Sequence, residues 1–203
     1  MKKDDYARIL DYLPKGKSEV PPHKRKPIAQ AVGEKYLSLL ELSPKHGYEF
    51  EVGERVYIGE STRDKIESIE RRIKYDWLTP TAKSELPDVL EKIVRENQQQ
   101  YVDFYNTAGT ISTRQHKLEL LPKIGKRHSQ LILKLREEAP FKSFQDLIQR
   151  VKSIPAGDES FKDVKVRSIP DPAKVIVERI VEEIKGDSKY YLFVPLVEEF
   201  RHK

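Results

Sequence analysis

Residues 118–136, LELLPKIGKRHSQLILKLR, combine the residue types best suited to bind an anion. A short apolar segment leads into a Pro-x-Ile-Gly turn, and the apolar residues that follow have helical spacing. The first N–H groups of a helix have no carbonyl partner and lie at the positive end of the helix dipole, and an adjacent glycine leaves room for a phosphate oxygen. We therefore expect the N–H groups of Ile124, Gly125 and Lys126 to face a phosphate.

Charge is concentrated in the same part of the chain. Between positions 114 and 136 there are seven cations and one anion, a net charge of +6, whereas the whole chain has +5. The side chains expected to assist phosphate binding are basic and comprise Arg114, Lys117, Lys123, Lys126, Arg127 and Lys134. The alternative is a tight turn between two helices whose cations form a solvated face.

The LPKIG turn resembles the helix-hairpin-helix motif, whose signature is a hydrophobic residue, Pro-Gly-Ile-Gly and a helix that begins with small or basic residues. The resemblance implies that backbone N–H groups at the start of the second helix bind a phosphate oxygen. Here Lys123 stands where the motif has its first glycine. If that position requires a positive φ, lysine costs about 1 kcal/mol relative to glycine.

The first 60 residues contain short, roughly alternating segments divided by Pro and Gly, which is the pattern of a small barrel. We predict strands at residues 6–13, 28–32, 36–42 and 55–58. Residues 14–27, PKGKSEVPPHKRKP, carry five cations and one anion, and their four prolines predict no regular structure. This segment follows the first strand, where small barrels often contact ligands, so Lys24, Arg25 and Lys26 are candidate contacts. A solvated loop explains the segment equally well.

From about residue 62 the pattern becomes helical. Ile66, Ile69 and Ile73 recur at spacings of three and four, which predicts a helix. A second helix is expected to begin with Ser84 as its cap and to continue as far as Phe104.

Capping signals mark further helix ends. They are the S-x-x-Q pair Ser112 and Gln115, Ser143, Asp171 followed by Pro172, and the terminating Gly186. The apolar run that begins near residue 190 has strand character, and the sequence leaves open whether it pairs with the barrel or packs on the helices.

A wider resemblance extends over most of the chain. HGYEFEVGERVYIGE, RRIKYDWLT, YVDFYNTAGTISTRQHKLELLPKIG and DPAKVIVERIVEEIKGDSKYYLF together resemble an uncharacterised archaeal family. That family has an N-terminal OB-like barrel and a helical domain with a helix-hairpin-helix, and its members are described only as predicted nucleic-acid-binding proteins. The resemblance implies a fold and a class of ligand, but no reaction.

We therefore predict a multidomain α and β protein. A small OB-like barrel domain is expected at residues 1–61, followed by an all-α domain with a helix-hairpin-helix at residues 62–189. Residues 190–203 form a strand-like segment whose attachment is open.

Composition excludes several classes of protein. The chain has 203 residues and no cysteine, so it cannot be a disulfide scaffold. Its mean hydropathy is -0.67, and no apolar run approaches the roughly 18 residues of a membrane span. The start MKKDDYARILDY has acids where a signal peptide would need an apolar core, so we expect a soluble, cytoplasmic protein.

Signals for catalysis are weak. A P-loop would need glycine at Leu120 and Ser or Thr at Arg127, and no G-x-S-x-G elbow is present. The histidines lack metal-ligand spacing. Asp103 with Glu96 or Glu119 could hold a nuclease metal, but a solvated or ion-paired role is the simpler explanation in a chain with 35% charged residues. We expect no enzyme activity, no cofactor and no metal.

These observations predict a protein that binds the sugar-phosphate backbone of DNA or RNA, largely independently of sequence. The barrel and its basic loop would hold a further segment of the nucleic acid. The alternative is a protein-interaction adaptor in a translation or DNA-repair assembly without direct nucleic-acid binding.

Overall fold

The computed structural model describes residues 3–113, 115–154, 168–186 and 188–195. Contacts between Cα atoms divide the chain into two compact units, Met1–Leu90 with Ile180–Lys203 and Glu91–Arg179.

The first unit contains a five-stranded antiparallel sheet. Its strands are β1 (Tyr6–Leu13), β2 (Ile28–Gly33), β3 (Leu39–Pro44), β4 (Arg55–Tyr57) and β5 (Ile66–Arg72). They lie in the order β4-β1-β2-β3-β5, in which the first four strands have the 4-1-2-3 arrangement of a Greek key. Register shifts in β1 and between β3 and β5 increase the local twist and help the sheet to curl.

The inner face of the curled sheet holds the hydrophobic core of this unit. On β2 and β3, Ala29 lies opposite Leu42 and Ala31 lies opposite Leu40, so each small side chain leaves room for a large one. All four residues belong to one buried cluster. Because side chains alternate along a strand, these residues leave the intervening positions on the outer face.

The chain itself covers the outer face of β2 and β3. Gln30 is fully buried there, and its Nε2 donates to the carbonyl oxygen of Trp77 at 3.0 Å. Its Oε1 accepts from the N–H of Thr79 at 2.8 Å. Thr79 Oγ1 also donates to Asp11 Oδ2 of β1 at 2.6 Å. The segment after β5, which begins with a short 3₁₀ turn at Tyr75–Trp77, therefore packs on the sheet.

The helix expected from Ile66 is wrong, because this segment forms strand β5. Ile66 pairs with Pro44 and Ile69 pairs with Leu42, with a register shift between them. Ile66 belongs to the core cluster and Ile69 packs against it. The shift places two inward side chains three residues apart, a spacing that imitates a helix. Strand β5 extends the sheet beyond residue 61. The domain limits given above, residues 1–61 and 62–189, remain predictions.

Helix α1 (Pro80–Glu96) begins earlier than predicted. Its cap is Thr79, whose Oγ1 accepts from the N–H of Ala82 at 3.0 Å, whereas Ser84 lies inside the helix. The single helix expected up to Phe104 is also wrong. The chain breaks at Asn97 (φ -110°, ψ 34°) before α2 (Gln98–Thr107).

The second part of the chain is not all-α. A hairpin of β6 (Thr110–Ser112) and β7 (Gln115–His116) precedes a 3₁₀ turn at Lys117–Leu120. Ser112 and Gln115 are cross-strand partners in this hairpin, so the capping box read from their spacing is wrong. The remaining helices are α3 (Lys126–Glu138), α4 (Phe144–Lys152) and α5 (Pro172–Lys185).

Three predicted helix ends are confirmed. Ser143 Oγ accepts from the N–H of Asp146 at the start of α4, and Asp171 Oδ1 accepts from the N–H of Ala173 at the start of α5. Gly186 follows α5 with a φ of +87°.

The segment after α5 forms no strand at residues 188–195, the part of it that the structure describes. The N–H groups of Leu192, Phe193 and Val194 donate to the carboxylate of Glu183 on α5, at 2.7 to 2.9 Å. This segment therefore packs on a helix, one of the two arrangements that the sequence left open.

Candidate nucleic-acid interface

A tight turn links the 3₁₀ turn at Lys117–Leu120 to α3. The N–H of Ile124 donates to the carbonyl oxygen of Leu121 at 3.1 Å, and Lys123 has a φ of +64°. With Pro122 at its second position, the turn has the features of type II, in which glycine is usual at the third position. Lysine occupies that position here, at a conformational cost of about 1 kcal/mol.

Ile124 has a different role from the one expected. Its N–H is used within the turn, and its side chain is buried. The expectation that this N–H group contacts a phosphate is therefore corrected, and Ile124 instead anchors the turn in the core.

The start of α3 has unsatisfied donors. Gly125 caps the helix in an extended conformation without a side-chain cap, and the first helical bond runs from Ser129 N–H to Gly125 O at 2.9 Å. Within the described ranges, the N–H groups of Lys126, Arg127 and His128 have no acceptor. A Cβ placed at Gly125 would meet no atom within 4 Å, so the approach to these groups is open.

Positive side chains lie at this helix start and on the 3₁₀ turn that precedes it. Lys126 and Arg127 are exposed, and Lys117 is exposed at the start of the preceding 3₁₀ turn. The site thus combines backbone donors, the positive end of a helix and exposed cations, which is suited to an oxyanion. Arg114 lies outside the described residues.

Other cations of the +6 stretch have partners within the protein. Lys123 Nζ forms an ion pair with Glu178 Oε1 of α5 at 2.5 Å. Arg136 Nη1 donates to the carbonyl oxygens of Tyr105 and Ala108 at 3.1 and 2.8 Å, which satisfies the end of α2. Burial lowers the pKa of Arg136.

Lys134 is half-buried on α3. Lys117, Lys126 and Arg127 are therefore the exposed cations of this stretch that have no acidic partner among the described residues, whereas the exposed Lys123 is paired with Glu178.

His116 is a residue of the site that the sequence analysis did not single out. It is buried, and its Nδ1 accepts from the N–H of Leu118 at 3.1 Å, so it caps the 3₁₀ turn. Burial and the nearby Arg136 lower the pKa of His116, which favours the neutral imidazole that this hydrogen bond requires. The sequence offers one signal for this capping role, which is a histidine two residues before the apolar Leu118.

The second basic segment, the loop at residues 14–27, is built differently. Arg25 donates from Nε to Val20 O at 2.7 Å and from Nη2 to Ser18 O at 2.9 Å, so it holds the loop together. Pro22–Lys24 form a 3₁₀ turn, although no regular structure was expected. Lys24 and Lys26 are exposed.

Gly16 closes this loop. It has a φ of +69°, and a Cβ at this position would lie 2.5 Å from the carbonyl oxygen of Lys26. Both the conformation and the close approach require glycine.

Glu41 fixes the loop to the sheet. Its carboxylate is buried on the outer face of β3 and forms an ion pair with Lys17 of the loop. It also accepts from Arg71 Nε at 2.8 Å and from Gln30 Nε2 at 3.3 Å. Burial by itself would raise the pKa of Glu41, but the hydrogen bonds from Lys17 and Arg71 outweigh it and lower the pKa.

In the described ranges, no three His, Cys, Asp or Glu side chains are grouped so that they could hold a metal ion. Nor does that part of the chain include a helix with the length and apolar character of a membrane span.

Comparisons with known proteins reveal close relatives. The sequence model of the family described as "Protein of unknown function (DUF655)" matches residues 3–158 and 156–195. The chain is 41% identical over 193 residues to the uncharacterized protein MJ0038 of Methanocaldococcus jannaschii, covering 94% of this chain and 80% of that protein. It also resembles the crystal structure of Af1531 from Archaeoglobus fulgidus, a DUF655 protein, with a TM-score of 0.82 and 44% identity over 95% of this chain and 100% of that chain.

Proposed function

We propose that this chain, which belongs to the DUF655 family of proteins of unknown function, is a non-enzymatic protein that binds the sugar-phosphate backbone of nucleic acid. The contact is made by the hairpin, defined as residues 117–127. Binding is largely independent of base sequence because backbone contacts carry little base information.

One observation carries this proposal. Three consecutive N–H groups at the start of α3, those of Lys126, Arg127 and His128, have no acceptor in the described part of the chain and adjoin the open space at Gly125. Two of these residues also have exposed cationic side chains. A phosphate oxygen would satisfy the donors and the charge together.

The turn geometry supports an assignment as a helix-hairpin-helix motif. The positive φ of Lys123 and the buried side chain of Ile124 resemble a Pro-Gly-Ile-Gly turn in which one glycine is replaced. The segment before the turn is shorter than a usual first helix, since it is a single 3₁₀ turn. The β6–β7 hairpin and the His116 cap compensate by fixing its start.

The sheet supports an OB-like assignment with one restriction. A partly open five-stranded Greek-key sheet is the OB architecture, and OB-folds bind oligonucleotides on the strand 2–3 face and with the loop between strands 1 and 2. Here Gln30 on that face is covered by Trp77 and Thr79. We therefore assign nucleic-acid contacts of this unit to the loop at residues 14–27 rather than to the strand surface.

The decisive experiment measures fluorescence anisotropy of labelled double-stranded DNA, double-stranded RNA and single strands of each across a salt series. Three to six phosphate contacts predict a slope of log K against log salt of roughly −3 to −5. Gly125→Asp places a carboxylate at the phosphate position and should weaken binding about 100-fold, because like charges brought together cost several kcal/mol. Circular dichroism checks that the variant remains folded.

Gln145→Glu is the matched control. It adds one negative charge at an exposed position of α4 and should leave binding near that of the wild type. Weak, salt-independent binding of all four nucleic acids, or equal binding by the Gly125→Asp variant, would refute the hairpin as a nucleic-acid site. A pull-down for a protein partner would then test the adaptor alternative.

A further inference from the structure

Trp77 is the one tryptophan of the chain, and it is 48% exposed. A single exposed hydrophobic residue is common on protein surfaces and has no meaning by itself. Trp77 differs because both its N–H and its carbonyl oxygen are hydrogen-bonded and because the guanidinium group of Arg71 lies over its ring.

The backbone around Trp77 is fixed to the outer face of the sheet. Gln30 Nε2 donates to the carbonyl oxygen of Trp77, and the N–H of Trp77 donates to Lys74 O at 3.0 Å. Two residues later, Thr79 is bound to the same Gln30 side chain. The exposed indole therefore extends from a backbone fixed by hydrogen bonds, which reduces the entropy lost when a ligand stacks on it.

A cationic side chain lies over this indole. The guanidinium carbon of Arg71 lies 5.0 Å from the ring centroid, and Arg71 also donates to Glu41. The same carboxylate forms an ion pair with Lys17 of the loop at residues 14–27. Glu41 thus links Arg71, which lies over the indole, to a loop with a net charge of +4.

We propose that Trp77 is a stacking platform for an unpaired nucleobase, and that exposed lysines of the adjoining loop bind the phosphates of the same single strand. These lysines are Lys15, Lys24 and Lys26. The proposal rests on the proposed function and assigns to it a second contact with a different chemistry. A flat aromatic face beside cations matches a base and its phosphate, whereas the bases of a duplex are already stacked.

The test uses the intrinsic fluorescence of the intact protein, in which Trp77 is the only tryptophan. A twelve-nucleotide oligothymidylate should quench this fluorescence. An abasic strand with the same phosphates, a duplex and a polyglutamate peptide should each quench it far less. Variants that lack Trp77 have no tryptophan signal, so their affinities are measured by the fluorescence anisotropy of labelled strands. In that assay Trp77→Ala should weaken oligothymidylate binding about 5- to 150-fold with little effect on the abasic strand, because one stacked base is lost.

Two further variants keep the result interpretable. Trp77→Phe keeps an aromatic face and should retain part of the affinity. Tyr48→Ala removes a comparably exposed aromatic side chain, 40% exposed, from the same unit and should bind like the wild type.

Equal quenching by the abasic strand or by polyglutamate would overturn the stacking role, as would unchanged oligothymidylate affinity of Trp77→Ala. If duplex binding remains salt-dependent and sensitive to Gly125→Asp while Trp77 gives no response, only this inference fails. If the wild type binds no nucleic acid, both proposals fail.

Discussion

The hairpin at residues 117–127 and the loop at residues 14–27 are both strongly basic, but they use their cations differently. In the loop, Arg25 binds backbone carbonyls and Lys17 binds Glu41, so two cations hold the loop in place. In the hairpin, Lys126 and Arg127 are exposed beside backbone donors that have no acceptor in the described ranges. Net charge alone therefore does not measure the capacity to bind an anion.

The two regions also differ in the direction of their donors. The backbone N–H groups at the start of α3 have fixed orientations, which suits one phosphate at one position. The exposed lysines of the loop have flexible stems and present point charges, which suits a strand of variable path. The hairpin is thus the better candidate for orientation, and the loop for additional affinity.

The largest effect is expected at Glu41, which anchors the loop. Glu41→Ala should lower the free energy of unfolding by about 2 to 4 kcal/mol, because Lys17 loses the partner of a buried ion pair. Urea unfolding measures the loss, and faster tryptic cleavage at the loop lysines reports its release. Glu67→Ala, at an exposed position of β5, is the control, and an equal loss there would remove the anchoring role from Glu41.

The next effect separates two arginines of the +6 stretch. Arg136→Ala should lower the free energy of unfolding by about 2 kcal/mol, because two hydrogen bonds to carbonyl groups are lost, and should leave the salt slope unchanged. Arg127→Ala should leave stability within about 0.5 kcal/mol and reduce the steepness of the salt slope by about 1. Urea unfolding and salt-dependent anisotropy test the pair, and the reverse pattern would contradict the comparison.

A smaller effect isolates the strain in the hairpin turn. Lys123→Gly and Lys123→Ala both remove the ion pair with Glu178, but only glycine relaxes the positive φ. The glycine variant should therefore be more stable than the alanine variant by about 1 kcal/mol in urea unfolding. Equal stabilities would show that the turn imposes no strain at this position.

The smallest expected effect is the pH dependence of the free energy of unfolding, which should differ between the two regions. The lowered pKa of His116 means that its contribution to stability is present above its unfolded pKa, about 6.5, and is lost as pH falls through the folded pKa. The lowered pKa of Glu41 gives a contribution that is present above about pH 4.3 and is lost at lower pH.

Urea unfolding between pH 7 and pH 3 tests these two windows. His116→Asn retains a capping side chain and should remove the first loss, which should be below about 1 kcal/mol. Glu41→Gln should flatten only the more acidic part of the curve. A wild type whose stability is constant from pH 7 to pH 5 would contradict the role of His116.

Local patterns were sufficient to predict much of the fold. Strand β1 has the predicted bounds, and the caps Ser143 and Asp171 are confirmed, because alternation and capping depend on neighbouring residues. Strand β5 was missed since its bulge changed the spacing of Ile66 and Ile69. Thr79 was missed although it also precedes a proline, and it is further fixed by the distant Gln30.

The site was predictable only in outline. Gly125, Lys126 and Arg127 could be singled out from a local motif, and they lie where a helix begins. The pairing of Lys123 could not be foreseen, because its partner Glu178 is 55 residues away. Trp77 showed no distinctive spacing in the sequence. Its place on the sheet is known only from the structure, in which its carbonyl oxygen accepts a hydrogen bond from Gln30 Nε2.

The closed shape of the loop at residues 14–27 has an evolutionary consequence. Each exposed lysine can be exchanged singly without disturbing the backbone, whereas any side chain at Gly16 would collide with the carbonyl group of Lys26. Lineages that descend from a common ancestor should therefore tolerate the exchange of one lysine for another cation and conserve this glycine. Where the glycine has been lost, we expect an accompanying insertion or deletion that rebuilds the whole loop.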